Sequence, residues 1–234
     1  MLLAPAWRLL YFDAPTRGEQ LRCLFHASGT PFEDVKLAYP KGLDAYRQSA
    51  LGAKSPLAFD QCPCVIHGSG ADELAVSQTA AAMFYVGKAT GLCPEGAAAE
   101  AKCVSYVVGT EEFRNSAFYP AFMPLAVAKI GFGGYGNTLA KYAAKGKIAA
   151  PFQKWCGYFE RLLEGDSLYL VGDTVSFADV ALFEVVDAIK GLNVLPDDFL
   201  APFPKVAKLV DAVGSIPTLN AYLESRVDVA AYLK

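Results

Sequence analysis

The chain has 234 residues, of which 53% are hydrophobic and 19% are charged, and its formal net charge is −3. A chain of this length can bury a large core and suits one or two domains. The sequence has no basic cluster, so nothing favours nucleic acid as a partner. No apolar run approaches the roughly 18 residues of a membrane span. The apolar start at Met1 ends by Arg8, which is too short for a signal peptide, so we expect a cytoplasmic protein.

Strand and helix patterns alternate along the first part of the chain. Short apolar runs predict strands, and longer segments with helical spacing predict helices. The predicted elements are a strand over 7–12, a helix over 18–28, a strand over 32–37, a loop with a short helix, strands over 64–67 and 73–76, and a helix from Gln78. This order predicts an α/β domain over residues 1–90.

Strand patterns disappear after the turn-rich segment 91–96. The later helical patterns cover 97–113, 138–144, 151–163, 177–189, 205–212 and 217–225. A glycine-rich run at 131–136 lacks the Lys-Ser/Thr pair of a phosphate loop, so we interpret it as a connector. We therefore expect an all-helical second domain over residues 97–234.

A capping box precedes the helix predicted at 177. The Ser176 hydroxyl can accept from the Asp179 amide, while the Asp179 carboxylate accepts from the Ser176 amide. Val175 and Val180 have the spacing of a hydrophobic staple. We assign Asp179 a role in folding and none in chemistry.

The segment around Pro63 predicts a place where a peptide-like ligand can bind. Proline lacks an amide donor, so it fits a strand start or edge, and an X–Pro bond is the one peptide bond that becomes cis at low cost. We expect a cis Cys62–Pro63 bond beside the helix N-terminus at Gln78-Thr79, which favours a carboxylate. The alternative is an ordinary β-hairpin followed by a helix.

The sequence around the first strand resembles that of a known family. Tyr11-Phe12 ends the strand, Arg17-Gly18 forms a turn, and a helix follows through Arg22. This pattern is similar to the cytosolic glutathione transferases of the tyrosine-type classes (alpha, mu, pi and sigma). Further matches are Lys54, Gln61-x-Pro63 and Gln78-Thr79, which stand where the family has Lys, Gln-Leu-Pro and Gln-Ser.

The resemblance runs from about Trp7 to about Ala230 and implies both a fold and an assembly. The fold is an α/β thioredoxin-like N-terminal domain that binds glutathione, followed by an all-α C-terminal domain that contributes the hydrophobic substrate site. The assembly is a two-fold homodimer, in which Phe59 lies where some classes insert an aromatic side chain into the partner.

Tyr11 is the candidate catalytic residue. A free thiol has a pKa of about 8.5, so glutathione needs help to become a thiolate at neutral pH. One hydrogen bond to a charged group supplies ~1.5–3 kcal/mol, nearly enough for a shift of two pKa units. Family classes that use cysteine or serine place it just after the first strand, where this chain has Asp13, Ala14 and, as the only hydroxyl, Thr16. The alternative for Tyr11 is a tyrosine of the core.

The remaining site residues follow from the resemblance and the shape of glutathione. Main-chain groups of Cys64 are expected to pair with the cysteinyl amides, the Thr79 hydroxyl with the γ-glutamyl carboxylate, and Lys54 with the glycine carboxylate. The predicted glutathione contacts are Phe12, Arg17, Lys54, Gln61, Cys62, Pro63, Cys64, Gln78, Thr79 and Glu112. The predicted hydrophobic substrate site consists of Phe12, Tyr106, Phe113 and Phe122.

The six cysteines show no metal-ligand spacing, and the chain has only two histidines. We interpret them as reduced thiols and expect no metal. The predicted function is therefore conjugation of glutathione to small hydrophobic electrophiles. Two alternatives share the fold: a non-enzymatic carrier or structural protein, because fold does not imply function, and a glutathione-dependent isomerase or peroxidase.

Overall fold

The computed structural model describes residues 6–38, 41–50, 57–130 and 148–233. Lys54, the helix predicted over 138–144 and the glycine-rich run at 131–136 lie outside these residues. Among the helices inside these ranges, none is long and apolar enough to cross a membrane.

The first part of the chain forms a four-stranded sheet in the order β2-β1-β3-β4. Its strands are β1 (Trp7–Phe12), β2 (Glu33–Leu37), β3 (Cys64–His67) and β4 (Leu74–Ser77). β1 is parallel to β2 and antiparallel to β3, and β3 is antiparallel to β4. Since parallel neighbours need a crossover, the connection through α1 (Arg17–Ala27) fits this topology.

Helices flank and follow this sheet. In the first part, α2 (Gly42–Ala50) and α3 (Thr79–Ala89) accompany α1. The later helices are α4 (Ala97–Phe113), α5 (Tyr119–Ile130), α6 (Ala149–Leu162), α7 (Phe177–Gly191), α8 (Pro204–Gly214), α9 (Pro217–Ser225) and α10 (Val229–Leu233). Within residues 97–130 and 148–233 the structure contains no strand. The predicted fold class, thioredoxin-like α/β followed by all-α, is confirmed.

The helix α5 was not predicted, because it contains Pro124 and begins beside Pro120. A proline inside a helix removes an amide donor and normally breaks the helix, whereas one in the first turn is tolerated. A short π-helical segment, Arg114–Phe118, joins α4 to α5. Phe118 and Phe122 are buried on either side of this junction, so burial of apolar side chains outweighs the low helix propensity.

One hydrophobic core joins the two parts of the chain. The helix α7 is buried along nearly its whole length and contacts α1, α4 and α8. The core includes Leu21 and Phe25 of α1, Met83 of α3 and Phe177 of α7. The helix that leads into the site, α1, is therefore held in place by the helical part of the protein as well as by its own sheet.

The predicted capping box at the start of α7 is present. The Asp179 carboxylate accepts hydrogen bonds from the Ser176 amide at 2.8 Å, the Ser176 hydroxyl at 2.7 Å and the Leu170 amide at 2.8 Å. Burial raises the pKa of Asp179 to about 6, although these hydrogen bonds oppose the shift. Asp179 therefore ties the preceding loop to the first turn of the central helix.

We predict that Asp179→Ala destabilises the fold by about 2–4 kcal/mol, because the helix loses its cap and two buried amides lose their acceptor. Urea denaturation measures the loss. The matched control is Asp173→Ala in the same loop, where the exposed side chain predicts a change within ~0.5 kcal/mol. An equal effect of the two substitutions would contradict the role of Asp179.

The same carboxyl predicts a pH dependence. Its folded pKa of about 6 lies above the ~3.9 of an unfolded aspartate, so the folded state binds the proton more tightly. The stability that this group contributes is complete below about pH 4 and decreases as the pH rises toward 6. The difference in unfolding free energy between the parent and Asp179→Ala should therefore be smaller at pH 7 than at pH 4.5.

Candidate active site

A cavity of about 580 Å³ opens where the sheet meets the N-termini of α1 and α3. It lies between the end of β1, the loop before β3, and the helices α2, α3 and α4. Its lining residues are Phe12, Arg17, Leu43, Gln61, Cys62, Pro63, Gln78, Thr79, Ala80 and Glu111. Seven of the ten predicted glutathione contacts therefore lie around one cavity: Phe12, Arg17, Gln61, Cys62, Pro63, Gln78 and Thr79.

The floor of the cavity combines a loop and a helix N-terminus. The Cys62–Pro63 peptide bond is cis, as expected from the sequence. Gln78, which precedes α3, has a φ of 75°, a backbone conformation that residues other than glycine rarely adopt. The amides of the first turn of α3 follow directly after Gln78, beside the Thr79 side chain that also lines the cavity. A helix N-terminus of this kind attracts a carboxylate.

Tyr11 ends β1 next to Phe12, and only 6% of its surface is exposed. Its hydroxyl is hydrogen-bonded to the Thr16 hydroxyl at 2.7 Å. Its ring lies against Gly18 so closely that a Cβ there would stand 2.2 Å from Tyr11 Cδ1. Burial, and then the neighbouring Tyr119, raises the pKa of Tyr11 above its ordinary value. At neutral pH the phenol therefore keeps its proton and can act as a donor.

Arg17 stands at the wall of the cavity between α1 and α4. Its Nε donates to Glu111 Oε2 at 3.1 Å, and its Nη2 donates to Asn115 Oδ1 at 3.0 Å. Its guanidinium also lies 4.9 Å from the centre of the Tyr119 ring. Arg17 thus brings a positive charge to the cavity and is held there by partners from the helical part.

Two predicted glutathione contacts lie elsewhere. Cys64 is the first residue of β3 and is in register with Leu10 on one side and Ser77 on the other. Its side chain is buried in a small cluster behind the sheet, and its main chain belongs to the ladder. Glu112 is exposed on α4, whereas its neighbour Glu111 faces the cavity.

The predicted hydrophobic substrate residues separate into two groups. Phe12 lines the cavity. Phe113 is fully buried against Phe152 and Trp155, and Phe122 is buried against Phe118. Tyr106, which lies on α4, packs against the core in a partly buried position. The aromatic residues of α4 and α5 thus support the core instead of lining the described cavity.

Leu43, Ala80 and Glu111 line the cavity without having been predicted. The position of Glu111 could have been found from the helical phase. The buried residues of α4 are Cys103, Val107, Thr110 and Phe113, which form one stripe. At 100° per residue, Glu111 flanks this stripe and Glu112 lies on the opposite side. Nothing in the sequence indicated that Leu43 lines the cavity, because only the tertiary structure places α2 beside it.

Known proteins resemble this chain in sequence and in structure. Residues 127–226 match the family model described as the C-terminal domain of glutathione S-transferase. Glutathione S-transferase 1 of Ascaris suum is 26% identical over 224 residues, which are 95% of this chain and 97% of that protein. The crystal structure of the glutathione S-transferase from Ascaris lumbricoides is 26% identical with a TM-score of 0.71, over 95% of this chain and 98% of that one.

A further similar structure is monomeric Na-GST-3, a glutathione S-transferase from the hookworm Necator americanus. It is 25% identical with a TM-score of 0.70, over 94% of this chain and 97% of that one. The fold and these matches support a cytosolic glutathione S-transferase. The resemblance found in the sequence is confirmed.

We predict that Gly18→Ala displaces the Tyr11 ring, because its Cβ would stand within 2.8 Å of three Tyr11 carbons. The clash should cost roughly 1–3 kcal/mol of stability, outweighing the gain of about 1 kcal/mol that alanine brings to a helix. Urea denaturation and a glutathione conjugation assay measure the two effects.

The matched control is Gly109→Ala in α4, where the nearest atoms outside the helix backbone would be 3.8 Å away. This variant should be as stable as the parent or more stable, with unchanged turnover. A Gly18→Ala protein with the stability and activity of the Gly109→Ala protein would contradict the packing of Tyr11 described above.

Proposed function

We propose that this protein is a glutathione S-transferase that joins the thiolate of reduced glutathione to small hydrophobic electrophiles, with the Tyr11 hydroxyl stabilising the thiolate. The observation that carries the proposal is the cavity at the end of β1. There Phe12, a loop ending at Pro63 and the N-terminus of α3 surround one space. The buried Tyr11 phenol precedes Phe12 in β1 and is not itself among the lining residues.

The ends of glutathione suit different parts of the cavity. The γ-glutamyl carboxylate suits the Thr79 hydroxyl and the amides of α3, with Gln78 alongside. Glu111 and Glu112 are the acids available for the γ-glutamyl ammonium, and Glu111 is the one that faces the cavity. Gln61 and Lys54 are assigned to the glycine carboxylate. We assign the cysteinyl amide pair to the main chain of Cys62, because Cys64 is in register with a strand on each side.

The chemistry requires only one strong donor at the sulfur. Lowering a thiol pKa by two units from about 8.5 takes about 2.7 kcal/mol, and a hydrogen bond to a charged group supplies ~1.5–3 kcal/mol. In this proposal a neutral Tyr11 supplies the bond, and Arg17 adds a positive charge at the cavity. The thiolate then attacks the electrophile directly: the sulfur forms the new bond, and the electrophile's leaving group departs with the bonding electrons.

We propose that the two parts of the chain bind different substrates. Residues 1–90 bind glutathione, and residues 97–234 contribute to the binding site for the electrophile. Phe12 and Leu43 supply apolar surface in the described cavity. The carrier and isomerase or peroxidase alternatives have no observation of their own in the described residues.

We predict that Tyr11→Phe raises the pKa of bound glutathione by roughly one to two units, because only the hydroxyl is lost. Glutathione should still bind, since the loop at Pro63 and the start of α3 are unchanged. Turnover near neutral pH should fall by roughly ten- to hundredfold and recover in part as the pH rises. The ultraviolet absorbance of the thiolate gives the titration midpoint.

The matched control is Tyr158→Phe, which removes a phenol hydroxyl from an exposed position on α6. It should leave both the midpoint and turnover unchanged. An unchanged midpoint in Tyr11→Phe would show that another group holds the sulfur, and the assignment of Tyr11 would be wrong.

We also propose that the protein is a cytoplasmic homodimer. All six cysteines lie in the described residues and are free thiols, which fits a reducing compartment. Phe59 is 64% exposed, and Leu74 and Val108 are further large apolar side chains at the surface. Exposed apolar side chains of this size are candidates for an interface.

We predict that Phe59→Ala shifts the association equilibrium toward the monomer, because the interface loses an aromatic anchor. Sedimentation velocity over a range of concentrations measures the shift. Val227→Ala is the control, since Val227 is similarly exposed in the turn that precedes α10. The similar hookworm protein is monomeric, so the unsubstituted protein must be measured as well. If it sediments as a monomer at all concentrations, the proposed dimer is wrong.

A further inference from the structure

Thr16 stands at the N-cap of α1 but does not use its side chain as a cap. A threonine at this position normally accepts a hydrogen bond from an amide of the first turn, which is worth ~1 kcal/mol. In the part of the chain that the structure describes, the Thr16 side chain makes no such bond. The Glu19 amide bonds to the Thr16 main-chain oxygen at 2.8 Å instead. The hydroxyl is therefore available for another partner.

That partner is the hydroxyl of the candidate catalytic residue. Tyr11 Oη and Thr16 Oγ lie 2.7 Å apart, and only 8% of Thr16 is exposed. The Tyr11 and Thr16 hydroxyls thus meet at the end of β1, beside the turn that leads into α1.

The direction of the hydrogen bonds decides what Tyr11 can do. A phenol has one proton, so a Tyr11 that donates to Thr16 cannot donate to a sulfur. If Thr16 donates to Tyr11 Oη, the Tyr11 proton is free for the ligand. Thr16 then donates to Tyr11, and Tyr11 donates to the sulfur. Hydrogen bonds arranged in series polarise one another, which strengthens the last one.

We propose that Thr16 is a positioning residue, whose hydroxyl donates to Tyr11 and so directs the Tyr11 proton to the glutathione sulfur. This inference rests on the proposed function. Burial raises the pKa of Tyr11, so its hydroxyl keeps its proton at neutral pH and can donate. Thr16 acts through Tyr11 and does not itself touch the substrate.

The test measures the titration midpoint of bound glutathione in Thr16→Val, which keeps the shape and removes the hydroxyl. We expect the midpoint to rise by roughly half to one pKa unit, less than in Tyr11→Phe, because a supporting bond is lost and not the bond to sulfur. At pH values below the titration midpoint, turnover should fall by roughly three- to tenfold, and at high pH it should match that of the parent. Thr16→Ser keeps the hydroxyl and should restore the parent midpoint.

A double variant, Tyr11→Phe with Thr16→Val, separates an indirect role from a direct one. If Thr16 acts only through Tyr11, the double variant should have the midpoint of Tyr11→Phe. A further rise would show that Thr16 contacts the sulfur itself and would overturn the proposal. An unchanged midpoint in Thr16→Val would also overturn it, while a raised midpoint in Tyr11→Phe would leave the proposed function standing.

Thr16→Ala keeps the test decisive if Thr16→Val does not fold. It also removes the hydroxyl and leaves Tyr11 intact. We expect the midpoint to rise in the same direction. No rise in Thr16→Ala would contradict the role of the Thr16 hydroxyl.

Discussion

The geometry of the site depends on the buried guanidinium of Arg22. It donates to the main-chain oxygens of Phe12 at 3.0 Å and Ala14 at 3.2 Å, and it pairs with Asp34 of β2 at 2.8 Å. These bonds fold the turn between β1 and α1 against the neighbouring strand. The turn carries Thr16 and follows Tyr11, so one side chain determines where both hydroxyls lie. Arginine suits this task because its five donors are arranged in a rigid plane.

The same network reaches the helical part of the chain through Glu19. This buried carboxylate pairs with Arg22 at 3.2 Å and accepts from Tyr222 at 2.7 Å and from Arg226 at 2.8 Å. Buried ion pairs add little net stability, because removing their charges from water costs about as much as their attraction returns. Their contribution here is a defined arrangement: α9 and the residue after it are attached to the first turn of α1, next to the cavity.

The fold and the cavity could be predicted from the sequence to different extents. Periodicity was sufficient for the strands and for α1, α4 and α7, and the Ser176–Asp179 capping box marked the start of the central helix. It was insufficient for α5, where the π-helical segment and Pro124 hide the helical pattern. The loop and turn motifs located most of the cavity. Phe113 and Phe122 were predicted to line the substrate site and are instead buried in the core. A rotation of about 100° about the helix axis, the angle between successive residues, decides between core and cavity, and no sequence motif indicates that rotation.

The proposed role of Tyr11 requires a buried phenol and not merely a nearby one. The charge of Arg114 favours the tyrosinate form, which has no proton to donate. Burial opposes this effect more strongly and raises the Tyr11 pKa, so the proton stays on the oxygen. The same low polarity strengthens any hydrogen bond that the phenol makes to a thiolate. Burial therefore keeps the proposed donor protonated beside the Arg114 guanidinium, as long as Gly18 lets the ring lie inside the fold.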